Sequence, residues 1–177
     1  MQDTLANIAA GPFAAACLLL AFAGVAKLRR PDGTGSAAAA IGLPASPVAV
    51  RGLGAVELLA AAAGLALGGA AALVVAAIYL GLAVVATRLL VRSPGTNCGC
   101  LGASDSPVSI GHVLVDGAAV VAALLATFGD SPLSAAGASV AVRLTFLAAT
   151  ACCAWLAAQV LDALPALNRA TRPEGAR

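Results

Sequence analysis

Apolar residues run along this chain in long blocks with almost no polar position inside them, and the polar residues gather in the breaks between. A helix needs roughly 20 mostly apolar residues to cross the hydrocarbon of a bilayer, so each block predicts a spanning helix. Five are expected, over about 5–28, 48–67, 70–91, 112–128 and 138–164. The first stops at Arg29-Arg30-Pro31-Asp32-Gly33. A loop rich in Gly, Ser and Pro follows, with a short apolar stretch from Ala37 to Leu43 that Pro44 and Pro47 terminate. Gly68-Gly69 joins the second and third helices by a tight turn, because glycine takes the positive φ angles such a turn demands. Ser93-Pro94-Gly95 ends the third helix, and Thr96 to Gly111 is the most polar and least periodic segment. Gly129-Asp130-Ser131-Pro132 separates the last two helices. The opening Met1-Gln2-Asp3-Thr4 has no basic region, which predicts a retained helix rather than a cleaved signal peptide. Residues 1–168 are expected to form one transmembrane domain, and 169–177 a polar basic tail.

Composition narrows the class. The 177 residues are 61% hydrophobic and 10% charged, against about 45–50% and about 25% in soluble domains. These values exclude a water-soluble enzyme domain and a disordered chain. Five cysteines are too sparse for a secreted disulfide scaffold, and a net charge of +2 without a basic cluster excludes a nucleic-acid binder. An all-α integral membrane bundle remains. Its many Ala and Gly residues suit helices whose backbones approach closely in lipid.

Five spans also fix a parity. The first connection, the third connection and the C-terminal tail fall on one side, with Lys27, Arg29, Arg30, Arg51, Arg88, Arg92, Arg169, Arg172 and Arg177. The opposite side carries at most Arg143, so the positive-inside rule places the basic set in the cytoplasm.

The candidate chemistry lies on that basic side. Asn97-Cys98-Gly99-Cys100-Leu101-Gly102 sets two thiols one glycine apart. Such a pair can close a strained small-ring disulfide that is readily reduced and suited to exchange. Two other readings stand beside it: a metal site formed with His112 and Asp105, although the spacing fits no common zinc pattern, and a structural bend. Glu57 lies about six residues into the second helix, about 9 Å deep. A carboxylate there is expensive and should face the bundle interior with a partner, Lys27, Arg51 or Arg88. The Lys27–Glu57 pair is either a lock between helices or part of a quinone or proton site. His112 and Asp116, four residues apart, share a helix face and are a candidate proton relay, with a capping or surface role for His112 as the alternative. Cys17, Cys152 and Cys153 lie deep in spans and are expected to pack as small apolar residues.

Ala23-Gly24-Val25-Ala26-Lys27-Leu28, Gly54-Ala55-Val56-Glu57-Leu58-Leu59 and Cys98-Gly99-Cys100-Leu101-Gly102 together resemble the MauE branch of the DoxX-type membrane fold. The resemblance covers about Ala14 to Phe128, with Leu101 standing where an aromatic residue is expected. It implies a four-helix DoxX-like core plus a fifth C-terminal transmembrane helix, in a bacterial inner membrane. The implied function is thiol-disulfide redox maturation of an exported enzyme, such as the disulfide-rich small subunit of methylamine dehydrogenase. Cys98 and Cys100 become the redox pair by carry-over, and Lys27 and Glu57 signature residues. The implied partners are a thioredoxin-like MauD-type protein and the client, and a quinone is the candidate cofactor; no metal is assigned. Such a protein is a component of an oxidoreductase system rather than a stand-alone enzyme. That role suits cysteines facing the periplasm, whereas the arginine bias places them inside. The alternatives are a metal-capturing or transport protein, and a structural subunit that packs through small residues such as Gly64 and Gly81.

Overall fold

A computed structural model describes residues 2–43, 45–97, 99, 107–137 and 139–170. Among the described residues the chain is helical, with no strand beyond an isolated bridge between Asn97 and Pro107. The helices are α1 (Gln2–Arg29), α2 (Pro31–Ala40), α3 (Pro47–Leu67), α4 (Ala70–Arg92), α5 (Ile110–Ala126), α6 (Pro132–Ala135) and α7 (Val140–Ala170). Four segments are long and apolar enough to cross a membrane: Ile8–Arg29, Pro47–Leu67, Ala70–Arg92 and Val140–Leu161. The fourth expected span yields only the 17-residue α5, about 26 Å long and near the lower bound for a spanning helix. Large apolar side chains such as Leu59, Leu67, Val91 and Leu144 stand exposed along the spans. In water so much apolar surface would be a liability, whereas lipid solvates it.

Each core helix buries one stripe of residues spaced three or four apart, the period that keeps one face inward. On α1 the stripe is Phe13, Cys17, Leu20, Ala23 and Lys27; on α3 it is Val50, Gly54, Glu57, Ala61 and Gly64. On α4 it includes Ala72, Ala76, Tyr79, Ala86 and Leu89, and on α5 His112, Ala119, Ala123 and Ala126. Antiparallel α1 and α3 form the most extensive contact, α4 packs on α5, and α5 also lies against α1. The membrane core gathers Phe13, Cys17, Leu20, Val75, Tyr79 and the α5 alanines. Long α7 leans on α1 and touches α5 only lightly.

Two connections depart from the expected pattern. The Gly- and Ser-rich segment after Arg30, expected as a loop, is helix α2, started by Pro31 at its first position where a missing N–H costs nothing. A second buried cluster of Ala37, Ala86, Leu89 and Val108 holds α2 against the end of α4. At the opposite end, the break before the last helix contains the short α6, whose N-cap Ser131 packs against Gly68. Gly68 and Gly69 have φ of 61° and 49°, as their tight turn requires.

The small residues divide by face. A Cβ on Gly64 would lie 2.9 Å from Cys17 Sγ, 3.1 Å from Val75 Cγ2 and 3.2 Å from Phe13 Cζ, whereas one on Gly81 meets nothing within 4 Å. Gly64 is therefore a junction of three helices, and Gly81, expected to pack likewise, faces outward. Cys17 is fully buried there as expected, but Cys152 and Cys153 are exposed on α7 rather than packed. Their neighbour Ala154 takes the inward position, which turns both thiols away. Overpacking a tight core costs about 1–3 kcal/mol. Gly64→Leu is expected to lower the thermal midpoint of the detergent-solubilised protein, and Gly81→Leu to leave it unchanged.

Candidate functional site

The polar members of the buried stripes converge at one end of the bundle. α1 and α3 cross where Gly24 faces Gly54. A Cβ on Gly24 would lie 2.6 Å from Gly54 O, and one on Gly54 2.7 Å from Gly24 O. Only glycine allows backbones this close. Lys27 and Glu57 each follow their glycine by three residues, one helical turn on the same face. Lys27 Nζ donates to Glu57 Oε2 at 2.8 Å, with side-chain exposures of 1% and 0%. Of the three cations considered from sequence, Lys27 is the partner, while Arg51 and Arg88 are exposed.

Glu57 Oε1 is buried with no hydrogen-bond partner among the described residues. Leaving such an acceptor unsatisfied costs about 1–3 kcal/mol, so this oxygen is a marked place in an otherwise satisfied core. Asp116 is half-buried on α5, close enough to Lys27 for their charges to interact.

Asp116, His112 and Tyr79 line a small cavity of about 40 Å³ together with Leu20, Leu82 and Leu161. That is room for one or two waters at most. His112 is buried and caps α5: the backbone N–H of Ser109 donates to His112 Nδ1 at 3.2 Å, and Ser109 Oγ lies 3.1 Å from the same nitrogen. Because Nδ1 accepts there, the neutral ring carries its proton on Nε2. The capping alternative thus describes one edge of the ring, and the cavity shared with Asp116 keeps the relay reading open for the rest.

Tyr79 was not singled out in the sequence. Its hydroxyl donates to Ala16 O at 2.6 Å, tying α4 to α1 within the core. The available signal was that this is the chain's single tyrosine, set inside an apolar span.

Cys98 and Cys100, like Asp105, lie outside the described residues, but the frame around them is defined. Asn97 and Pro107 bridge, and Val108 N donates to Thr96 O at 3.0 Å, closing the base of this loop. Gly99, between the two cysteines, has φ 63°, and a Cβ there would fall 2.5 Å from Gly33 O. Thr34 Oγ1 donates to Gly99 O at 2.7 Å. The centre of the Cys-Gly-Cys motif is therefore seated on α2, and only glycine fits that seat. Thr34, also missed from sequence, has no local signal, because its partner is 65 residues away.

The family profile described as Methylamine utilisation protein MauE matches residues 5–129. No curated protein matches the chain, and no solved structure matches it.

Removing one member of a buried ion pair strands the other and costs about 3–5 kcal/mol, whereas replacing both with apolar residues is often near neutral. Lys27→Met is therefore expected to destabilise the bundle by about that amount in a denaturant titration in mixed micelles. The double variant Lys27→Met/Glu57→Leu should recover most of the loss. If the double variant is as unstable as the single, the pair does more than lock α1 to α3.

Proposed function

This chain belongs to the MauE family of methylamine utilisation proteins, and on that premise we propose that it is a membrane thiol-disulfide component that matures an exported enzyme. The observation that carries this reading is the seating of Gly99 on Gly33 and Thr34, within the stretch the family profile covers. A glycine-specific seat fixes the middle of the motif against α2, at one end of the bundle.

The chemistry is exchange between thiols. Cys98 and Cys100, joined as a disulfide, are attacked by a thiolate of the client or of a thioredoxin-like partner, giving a mixed disulfide. A second client thiolate then displaces the motif thiolate. The client gains one S–S bond, the motif is left as a dithiol, and two electrons with two protons have passed from client to motif. The small ring that two cysteines close around one glycine favours this direction, since a strained disulfide is the stronger oxidant. Lys27, Glu57, Asp116 and His112 form the polar group at the same end of the bundle and are the candidates for moving those protons.

Cys98→Ser and Cys100→Ser are each expected to leave the protein inserted but to abolish the disulfides of the client in cells. Counting free thiols in the purified client by alkylation and mass spectrometry reads this directly. A fully oxidised client in both variants would reject the proposal. Stoichiometric metal in the purified protein, lost in the same variants, would replace it with metal capture.

A further inference from the structure

The arginines of the bundle divide by how the fold uses them. At the start of α7, Arg143 donates from Nε to Gly137 O at 2.7 Å. At the opposite end Arg88 and Arg92 are exposed, and among the described residues neither has a hydrogen bond or an ion pair. They stand four apart on α4, where side chains are neighbours with about 5–6 Å between Cβ atoms. Like charges so placed repel and weaken a helix unless something negative lies between them. No described acid supplies it. α4 contains neither Asp nor Glu, Glu57 is buried on Lys27, and Asp116 lines the internal cavity. Asp32 lies eight residues before Ala40, the end of α2 that Ser93 Oγ touches at 3.3 Å, and so about 12 Å away along that helix.

The surroundings say what comes near. Arg92 closes α4, and Arg88 lies one turn deeper, with Leu80, Val84 and Val91 exposed on the same side of the helix. An apolar face within a span is covered by lipid chains, and arginine stems run along such a face to carry their charge to the headgroup layer. A guanidinium fork takes a phosphate through two parallel N–H···O bonds. We propose that Arg88 and Arg92 together hold the headgroup phosphate of an anionic phospholipid, whose chains lie along Val84 and Leu80. The phosphate ends the repulsion between the two and satisfies donors that the described chain leaves unused. A zwitterionic lipid offers the same phosphate with a cation attached, which meets Arg29, Arg30 and Arg51, also exposed at this end. The bound class is therefore that of phosphatidylglycerol, without a headgroup cation. The site is separate from the cysteine motif and from the exchange proposed there.

The test uses the full chain in neutral detergent, titrated with phosphatidylglycerol or phosphatidylcholine of the same acyl chains, with bound lipid counted by native mass spectrometry. One phosphatidylglycerol is expected to bind about tenfold or more tightly than phosphatidylcholine, as two basic groups at the headgroup layer allow. Arg88→Gln/Arg92→Gln should abolish that preference, and Arg29→Gln/Arg30→Gln should keep it. Equal binding of the two lipids, a preference that survives Arg88→Gln/Arg92→Gln, or its loss in both variants would overturn the site, the last by assigning it to the general charge of this end. Displacement of phosphatidylglycerol by an equal concentration of inorganic phosphate would reassign it to the free anion. A lower thermal midpoint of Arg88→Gln/Arg92→Gln in detergent alone would also overturn it, because the two arginines would then be engaged within the chain.

Discussion

The bundle depends on a single crossing. Where Gly24 meets Gly54 the backbones of α1 and α3 come close, Lys27 lies over Gly54 and Glu57 over Gly24, and the two side chains reach each other across the crossing at 2.8 Å inside an apolar core. Each charge alone would be prohibitive in hydrocarbon, and neither can be relocated without moving its helix. The pair therefore sets the register of α1 against α3, and the rest is placed from it. Gly64 receives Cys17 and Phe13 farther along the same contact, Tyr79 ties α4 to α1 through Ala16 O, and α5 brings Asp116 up to Lys27. An apolar lock would hold the helices at least as well. This crossing instead carries a charged pair, with one glutamate oxygen left without a hydrogen bond among the described residues.

Much of this architecture is legible in the sequence because a bilayer simplifies the rules. Length and hydropathy locate the spans, and the three-to-four spacing of Val50, Gly54, Glu57, Ala61 and Gly64 already places Glu57 on the buried stripe of small residues. The same arithmetic separates Gly64 from Gly81, since Gly81 follows inward-facing Tyr79 by two positions and so points away. Helix α2 was less accessible. Its first half, Pro31-Asp32-Gly33-Thr34-Gly35-Ser36, contains two glycines, each about 1 kcal/mol worse than alanine in a helix. What holds it is tertiary: Ala37 is buried against Ala86 and Leu89 of α4. Long-range contacts of this kind leave no periodic trace, which is why Thr34 and its bond to Gly99 were invisible.

The seat of the cysteine motif and an apolar recess beside it meet at α2. One of its faces carries Gly33 and Thr34, which seat the middle of the cysteine motif; another covers the apolar cavity that Lys27 closes from within. A helix this short and this rich in glycine is only marginally stable by itself, so its position answers to whatever lies on either side. Any movement of α2 therefore acts on the seat of Gly99 and on the cover of the cavity together.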